Sequence, residues 1–208
     1  MTVVHPGRPV ELPVRRLEIV ERDGERARAL HVFCPGRQSS VDATVCATCA
    51  FAHTTSETSV ICTPHGPPEP VHLDRDPLLF LGPDALALRT PVGTVSALHT
   101  VAVRVDAPMA QARKLLQENA IVVVLTPENL VHGVLSSYDD SKGLRALSAT
   151  GERAHLLPES APLIEAVELM VHGHVRLVTL TGGEGRFVGV VADLDVLRWV
   201  ARSRQAAH

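Results

Sequence analysis

Aromatic side chains and lysine are scarce in this chain of 208 residues. The sequence contains one Trp, one Tyr and four Phe, and lysine occurs only at Lys114 and Lys142. The formal net charge of −3 gives no sign of the concentrated basic face that a general nucleic-acid-binding protein needs. We therefore do not expect nucleic acid to be the main partner.

Long apolar runs are also missing. No stretch approaches the roughly 18 apolar residues of a membrane-spanning helix, and residues 1–16 lack the apolar core of a secretory signal. These absences predict a cytoplasmic protein that does not associate with a membrane. Because that compartment keeps thiols reduced, we expect the cysteines to serve as ligands rather than as disulfides.

Cysteine is confined to one segment of the chain. Intervals of eleven, two and twelve residues separate Cys34, Cys46, Cys49 and Cys62. A Cys-x-x-Cys pair with two further cysteines is typical of a closed tetrahedral zinc site. Iron or an iron–sulfur cluster is the alternative metal, since four thiolates serve both. A nearby histidine could replace one cysteine, at His31, His53 or His65.

The metal is expected to be structural, because residues 1–70 contain few large apolar side chains and could not bury much core alone. Within this module, Asp23-Gly24 between two loosely alternating runs predicts a β-hairpin. Breaker-rich segments at 63–70 and at Gly82-Pro83 suggest the domain boundaries. The predicted organisation is a metal-binding module at 1–70, a linker at 71–91, and two repeats at 92–149 and 150–208.

The second half of the chain contains one pattern twice. A helix start at Asp106 is followed by an apolar run and by Gly-Val-Leu-Ser-Ser-Tyr-Asp, which ends at Asp139. A helix start at Ser160 is followed by an apolar run and by Gly-Val-Val-Ala-Asp-Leu-Asp, which ends at Asp195. Periodicity predicts strand, helix, strand, strand and helix in each copy, with Asp106 and Ser160 as helix N-caps. Two such units indicate a pseudo-symmetric α/β pair with a ligand cleft between them.

Together with the lead-in at residues 90–95, these repeats resemble cystathionine-β-synthase (CBS) domains, and the pair resembles a Bateman module. The resemblance implies tandem β-α-β-β-α repeats that bind adenosine-containing ligands, such as AMP, ADP, ATP or S-adenosylmethionine, in the inter-repeat cleft. It also implies a homodimer formed through the helices of the repeats.

The resemblance assigns nucleotide contacts to the motif that ends each copy. Copy one keeps Ser136 and Asp139, which would contact phosphate and ribose. Copy two keeps Asp195 but has Ala192 in place of the hydroxyl residue, so we expect its site to be weaker or empty. A carboxylate can accept both hydroxyls of a ribose, although the same residues could merely cap the following helix.

Three further residues are secondary candidates for nucleotide contacts: Thr100, His174 and Arg176. His172-Gly173-His174 could in principle bind a metal, but the sequence favours a helix C-terminal turn there. No nucleophile–base pair is evident, so the chain is not expected to be an enzyme.

The sequence therefore predicts a non-enzymatic regulatory protein that binds AMP, ADP or ATP, carries a structural zinc module, and contacts a protein partner through that module. The alternative hypothesis is a nucleic-acid-binding or protein-binding regulator that uses the metal module, with the CBS pair acting only as a dimerisation scaffold.

Overall fold

The computed structural model describes residues 9–64, 88–119, 121–136 and 154–205. It shows a mixed α/β fold with a curled sheet and few helices. No helix within these ranges is long and apolar enough to cross a membrane.

The N-terminal segment is mostly β-structure. It contains β1 (Val10–Val20), β2 (Arg26–Cys34), β3 (Ser39–Asp42), the short helix α1 (Ala43–Ala47), β4 (Ala52–Thr55) and β5 (Ser59–Cys62). The predicted hairpin between β1 and β2 is confirmed. Gly24 takes a left-handed φ of 88° at its turn, and Asp23 Oδ1 accepts the Glu25 N–H at 3.0 Å, so Asp-Gly fixes this turn as expected.

Repeat one contains β6 (His99–Arg104), α2 (Met109–Glu118), β7 (Ile121–Leu125) and β8 (Val131–Ser136). Its final predicted helix lies outside the described residues. Repeat two contains β9 (Leu156–Pro158), α3 (Leu163–His172), β10 (Leu177–Thr181), β11 (Phe187–Ala192) and α4 (Asp193–Gln205). The predicted order of elements is therefore confirmed for all of repeat two and for the first four elements of repeat one.

The predicted helix caps are wrong. Helix α2 begins after Pro108 and α3 begins after Pro162, and neither N-cap makes a side-chain hydrogen bond. Asp106 and Ser160 lie two residues before these prolines, where the chain still turns. Pro108 and Pro162 are themselves the N-cap residues, and their carbonyl groups accept the N–H groups of Gln111 and Glu165 at 2.9 and 3.0 Å. These helices therefore begin with a backbone hydrogen bond rather than a side-chain cap.

Strand β1 joins the N-terminal segment to repeat one. Its first residues, Val10–Pro13, pair with β5, while Arg16–Val20 pair on one side with β2 and on the other, in parallel, with β6. The resulting sheet runs β3-β2-β1-β6-β7-β8, whereas repeat two has its own sheet in the order β11-β10-β9. The N-terminal segment and repeat one therefore share a continuous sheet.

Apolar packing then joins this sheet to repeat two. One cluster of buried side chains takes Leu17 from β1, Ala102 and Val123 from repeat one, and Phe187 and Val190 from repeat two. Two other clusters fill the space between each repeat's sheet and its helices. Because Leu17 lies in the inter-repeat core, the N-terminal segment stabilises the arrangement of both repeats.

A buried polar network reinforces the same junction. Arg15 donates from Nη1 to Ser96 Oγ at 2.7 Å and from Nη2 to Ser40 Oγ at 2.9 Å. Glu159 accepts the Ser40 N–H at 2.7 Å and the Ser40 hydroxyl. Arg15 and Glu159 are only 4% and 3% exposed. The network therefore connects β1, β3, the lead-in to repeat one, and repeat two.

Candidate functional site

A cleft of about 170 Å³ lies between the two repeats. Repeat one and its lead-in contribute Ala97, His99, Thr100, Val101, Asn119 and Ile121, and repeat two contributes Leu177, Val190, Ala192 and Asp195. The volume is below the roughly 300–1,000 Å³ of a typical ligand pocket. The cleft would therefore have to widen to take a whole nucleotide.

Repeat one supplies a mixed polar and apolar wall. Thr100 is buried on β6, where it pairs through its backbone with Leu17 of β1. His99, one residue earlier, is exposed at the end of the same strand. Asn119 follows α2 and donates from Nδ2 to Leu115 O at 3.0 Å. Of these residues, the sequence predicted only Thr100 as a ligand contact.

Repeat two supplies the start of α4. Asp195 is half-buried, and its Oδ2 accepts the Ala192 N–H at 3.1 Å. This geometry is half of a capping box, in which the third helical residue reaches back to the N-cap but the N-cap offers no hydroxyl in return. Arg198 lies 3.8 Å from the other carboxylate oxygen. Asp195 therefore caps its own helix while it lines the cleft.

His174 and Arg176 are not among the residues that line this cleft. His174 is exposed and takes a left-handed φ of 52°, and the following Val175 N–H donates to Met170 O at 3.2 Å. This is a helix C-terminal turn, as the sequence suggested, but His174 rather than Gly173 takes the left-handed conformation. Arg176 pairs with Asp193 at 3.0 Å.

The residues of copy one are only partly within the described ranges. Ser136 ends β8, and its backbone pairs with that of Ile121, which lines the cleft. Asp139 lies outside the described residues. The expectation that Ser136 and Asp139 form the working nucleotide site stays a prediction.

The four cysteines come together at one end of the N-terminal sheet. Cys34 ends β2, Cys62 ends β5, and Cys49 donates its N–H to Cys46 O at 3.1 Å just after α1. All four are thiols outside any disulfide. Burial, followed by the nearby Cys34, Cys46 and Cys49 thiols, raises the pKa of Cys62 to about 11, so the four groups lie within electrostatic range of one another.

Thiolates are suitable metal ligands, but the cysteine side chains as positioned in the structure do not form a coordination shell. Across the described residues, no three His, Cys, Asp or Glu side chains are arranged so that they could hold a metal ion. The metal-binding module is therefore not shown. His65, one of the substitute ligands considered from the sequence, falls outside the described ranges.

Comparisons with known proteins identify the fold. Residues 152–202 match the CBS domain family. The chain is 27% identical over 129 residues to the uncharacterized protein MJ1404 of Methanocaldococcus jannaschii, and the match covers 57% of this chain and 30% of the relative. The chain thus spans less than a third of that relative's length.

Solved structures give the same result. The CBS domain of a bacterial CNNM/CorC family Mg²⁺ transporter superposes with a TM-score of 0.50 at 18% identity, covering 59% of this chain and 81% of the other. A structure of that type of domain in complex with ATP also gives 0.50 and 18%, covering 60% and 94%. At this identity the likeness concerns the fold alone. Residues 152–202 thus match the CBS domain family, and the chain has a mixed α/β fold of the CBS type.

Proposed function

We propose that the chain is a non-enzymatic regulatory protein that binds an adenine nucleotide between its two repeats. The observation that carries this proposal is the inter-repeat cleft, because Thr100 of repeat one and Asp195 of repeat two both line it. A ribose needs acceptors for its hydroxyls, and a purine needs an apolar slot such as Val101, Leu177 and Val190 offer. The ATP complex of a structurally similar CBS domain supports the same ligand class.

Regulation would follow from the position of the cleft. A ligand there contacts both repeats at once, so it favours whichever relative arrangement of the two sheets gives the better contacts. Leu17 and Phe187 pack in the same inter-repeat core. A change in that arrangement would therefore reach β1 and the N-terminal segment, which we propose presents the signal to a protein partner.

A thermal-shift series with AMP, ADP and ATP tests ligand binding. A ligand at one hundred times its dissociation constant stabilises the native state by about 2.7 kcal/mol. We expect at least one nucleotide to raise the melting temperature, and Asp139→Ala to remove most of that effect if copy one is the working site. If none of the three nucleotides shifts the melt at millimolar concentration, the nucleotide-binding function is wrong.

We further propose that the four cysteines bind one zinc ion, with iron as the alternative. Support comes from the four clustered thiols and from the tight turn that joins Cys46 to Cys49. When bound, zinc would cross-link the ends of β2, α1 and β5 as four thiolates close its coordination shell. Elemental analysis of protein purified without chelator should give about one zinc per chain. Absence of metal, together with four titratable thiols, would refute this.

A homodimer in the cytoplasm completes the proposal. Val171 on α3 and Leu194 and Leu197 on α4 are 60%, 53% and 64% exposed. Apolar side chains this exposed on two helices of one repeat suit a helix-mediated contact with a second copy. Light scattering on the wild type and on Leu197→Glu tests it: a monomeric wild type would remove the dimer from the proposal.

A further inference from the structure

We propose that Thr179 is a specificity-determining residue, whose buried hydroxyl forms hydrogen bonds with the polar edge of the nucleotide's base. This inference rests on the proposed function, since it concerns a nucleotide in the inter-repeat cleft, and it adds a residue that selects the base. Thr179 belongs to neither repeated motif and is not among the residues that line the cleft as it stands.

Thr179 lies on the face of β10 that packs against repeat one. Its two neighbours in the strand, Val178 and Leu180, pack against the helices of repeat two, whereas Leu177 packs in the inter-repeat core. Because successive side chains of a strand alternate between its faces, Thr179 shares the face of Leu177. It also pairs with Val190 of β11. Leu177 and Val190 both line the cleft, so Thr179 lies directly behind the apolar wall of the cleft.

The hydroxyl of Thr179 is buried and unsatisfied. The residue is 0% exposed, and within the described ranges its Oγ1 has no hydrogen-bond partner. The backbone of the same residue is satisfied, since its N–H donates to His155 O at 2.8 Å. A buried hydroxyl without a partner destabilises a fold because it has lost its hydrogen bonds to water. A valine would therefore suit this position better if packing were its only role.

Repeat one has that valine. Strands β7 and β10 hold equivalent places in the two repeats, and their first residues, Ile121 and Leu177, both line the cleft. Counted from these residues, Val123 is the equivalent of Thr179, and it is fully buried in the inter-repeat core. The unsatisfied hydroxyl is therefore a feature of repeat two alone.

A base in the widened cleft would bring a partner to this hydroxyl. The proposed purine slot already includes Leu177 and Val190, and the cleft of about 170 Å³ has to widen to take a nucleotide. Widening along β10 uncovers Thr179 next. A threonine hydroxyl has one donor and two acceptor positions, so it can accept from the 6-amino group of adenine and donate to N1. A ring without these groups leaves the hydroxyl unsatisfied and is bound less tightly.

Calorimetry with matched ligands tests the inference. It compares AMP, ADP or ATP, whichever binds the wild type most tightly, with the benzimidazole riboside that carries the same phosphates. Benzimidazole keeps the fused-ring shape but lacks N1 and the 6-amino group. We expect the wild type to prefer the adenine ligand, and Thr179→Val to reduce this preference about three- to tenfold, as the loss of one net hydrogen bond predicts. Without ligand, Thr179→Val should melt at a higher temperature, because it removes an unsatisfied group.

Two further variants serve as controls. Thr179→Ser keeps the hydroxyl and should keep the preference. Thr181→Val makes the same change two residues along β10, where Oγ1 already donates to Leu157 O at 3.5 Å, and it should leave the preference unchanged. An unchanged preference in Thr179→Val, or an equal loss in Thr181→Val, would overturn the inference and leave nucleotide binding intact. If none of the three nucleotides binds the wild type, the proposed function fails and the inference fails with it.

Discussion

Removing the carboxylate of Glu159 should destabilise the whole protein, although this residue belongs to no catalytic or metal site. Glu159 is 3% exposed and accepts two hydrogen bonds from Ser40, which in turn accepts one from Arg15. Glu159→Ala would leave Arg15 as a buried cation whose counter-charge is gone. It would also leave the Ser40 N–H and hydroxyl without their acceptor.

The magnitude follows from the burial of Arg15. Burial lowers the pKa of Arg15 to about 10, well below its ordinary value, and the charge of Glu159 opposes that shift. A pKa change of this size corresponds to roughly 3 kcal/mol of unfavourable burial of the charge. Arg15 and Glu159 interact through Ser40 rather than as a direct ion pair. Removing one partner of buried charges of this kind typically costs about 3–5 kcal/mol. We expect Glu159→Ala to lie in this range, a large part of the about 5–15 kcal/mol of a typical domain.

The contribution of Arg15 to the stability of the fold depends on pH, and the sign of this dependence follows from its pKa. Because the folded-state pKa of Arg15 lies below its unfolded value, its charge opposes folding at neutral pH, and stability recovers only as pH rises above about 10. Glu159→Ala removes the charge that raises this pKa, so the pKa of Arg15 in the folded variant falls further. The Glu159→Ala penalty carried by Arg15 should therefore shrink as pH rises through that lower pKa.

Urea unfolding with a double-mutant cycle measures the effect. The set is wild type, Glu159→Ala, Arg15→Met and the double variant, with an exposed control, Glu184→Ala. We expect a lower midpoint with an unchanged slope for Glu159→Ala, and a double variant less damaged than the two single losses predict when added. A Glu159→Ala cost below about 1 kcal/mol, or strictly additive losses, would refute the view of Arg15 and Glu159 as one coupled network.

Three further substitutions test single features of the fold, each by urea or thermal unfolding. His174→Gly should stabilise by up to about 1 kcal/mol, because glycine adopts the left-handed φ of 52° without the Cβ strain; destabilisation would contradict this. Gly93→Ala should cost about 1–3 kcal/mol, since the added Cβ would lie 2.6 Å from the Phe33 ring; a neutral result would mean that the ring moves freely. Arg104→Lys should lose about 1–3 kcal/mol, because lysine cannot reproduce the paired hydrogen bonds to Glu21 at 3.0–3.2 Å; Arg113→Lys on the exposed face of α2 is its control and should change nothing.

The repeats and the first hairpin could be predicted because their signals are local. The Asp23-Gly24 turn and the order of strands and helices within each repeat depend on residues close together in the chain. The structure confirms the hairpin, all elements of repeat two and the first four elements of repeat one. The starts of α2 and α3 were misplaced because Asp and Ser are in general good N-cap residues. In the structure Pro108 and Pro162 are the N-cap residues, and neither makes a side-chain cap.

The junction of β1 with the repeats could not be predicted, since a parallel pairing between Arg16–Val20 and β6 gives no local signal. Alternation in β1 is regular only over its first residues. From Val14 onward Arg15 and Glu18 are buried as well, whereas Arg16 remains exposed. Leu17 and Val20 of this part of the strand pack into two different apolar clusters, so each face is covered in part. A charged residue in a strand normally lies on the solvent-exposed face of a sheet. The sequence therefore did not indicate that Arg15 and Glu18 would be buried where β1 joins the repeats.

The residues of the candidate cleft also divide into those that could be predicted from the sequence and those that could not. Asp195 was predicted from the motif that ends copy two, and Thr100 was a secondary candidate that leads a strand; both line the cleft. His99 and Asn119 were missed because nothing in a single sequence marks them: one is an exposed strand end, and the other is the residue after a helix. His174 and Arg176 were chosen for being near β10 in the chain, but both lie in the segment between α3 and β10, and neither lines the cleft.

The shared strand also decides which experiments can separate the N-terminal segment from the repeats. Deleting residues 1–64 would remove the neighbour of β6, expose a row of unpaired backbone groups beside Thr100, and take Leu17 out of the inter-repeat core. Loss of ligand binding in such a truncation would therefore reflect a damaged cleft rather than a loss of communication between the cysteine cluster and the cleft. Point substitutions at the cysteines leave β1 in place. Only these can show whether the cysteine cluster communicates with the cleft.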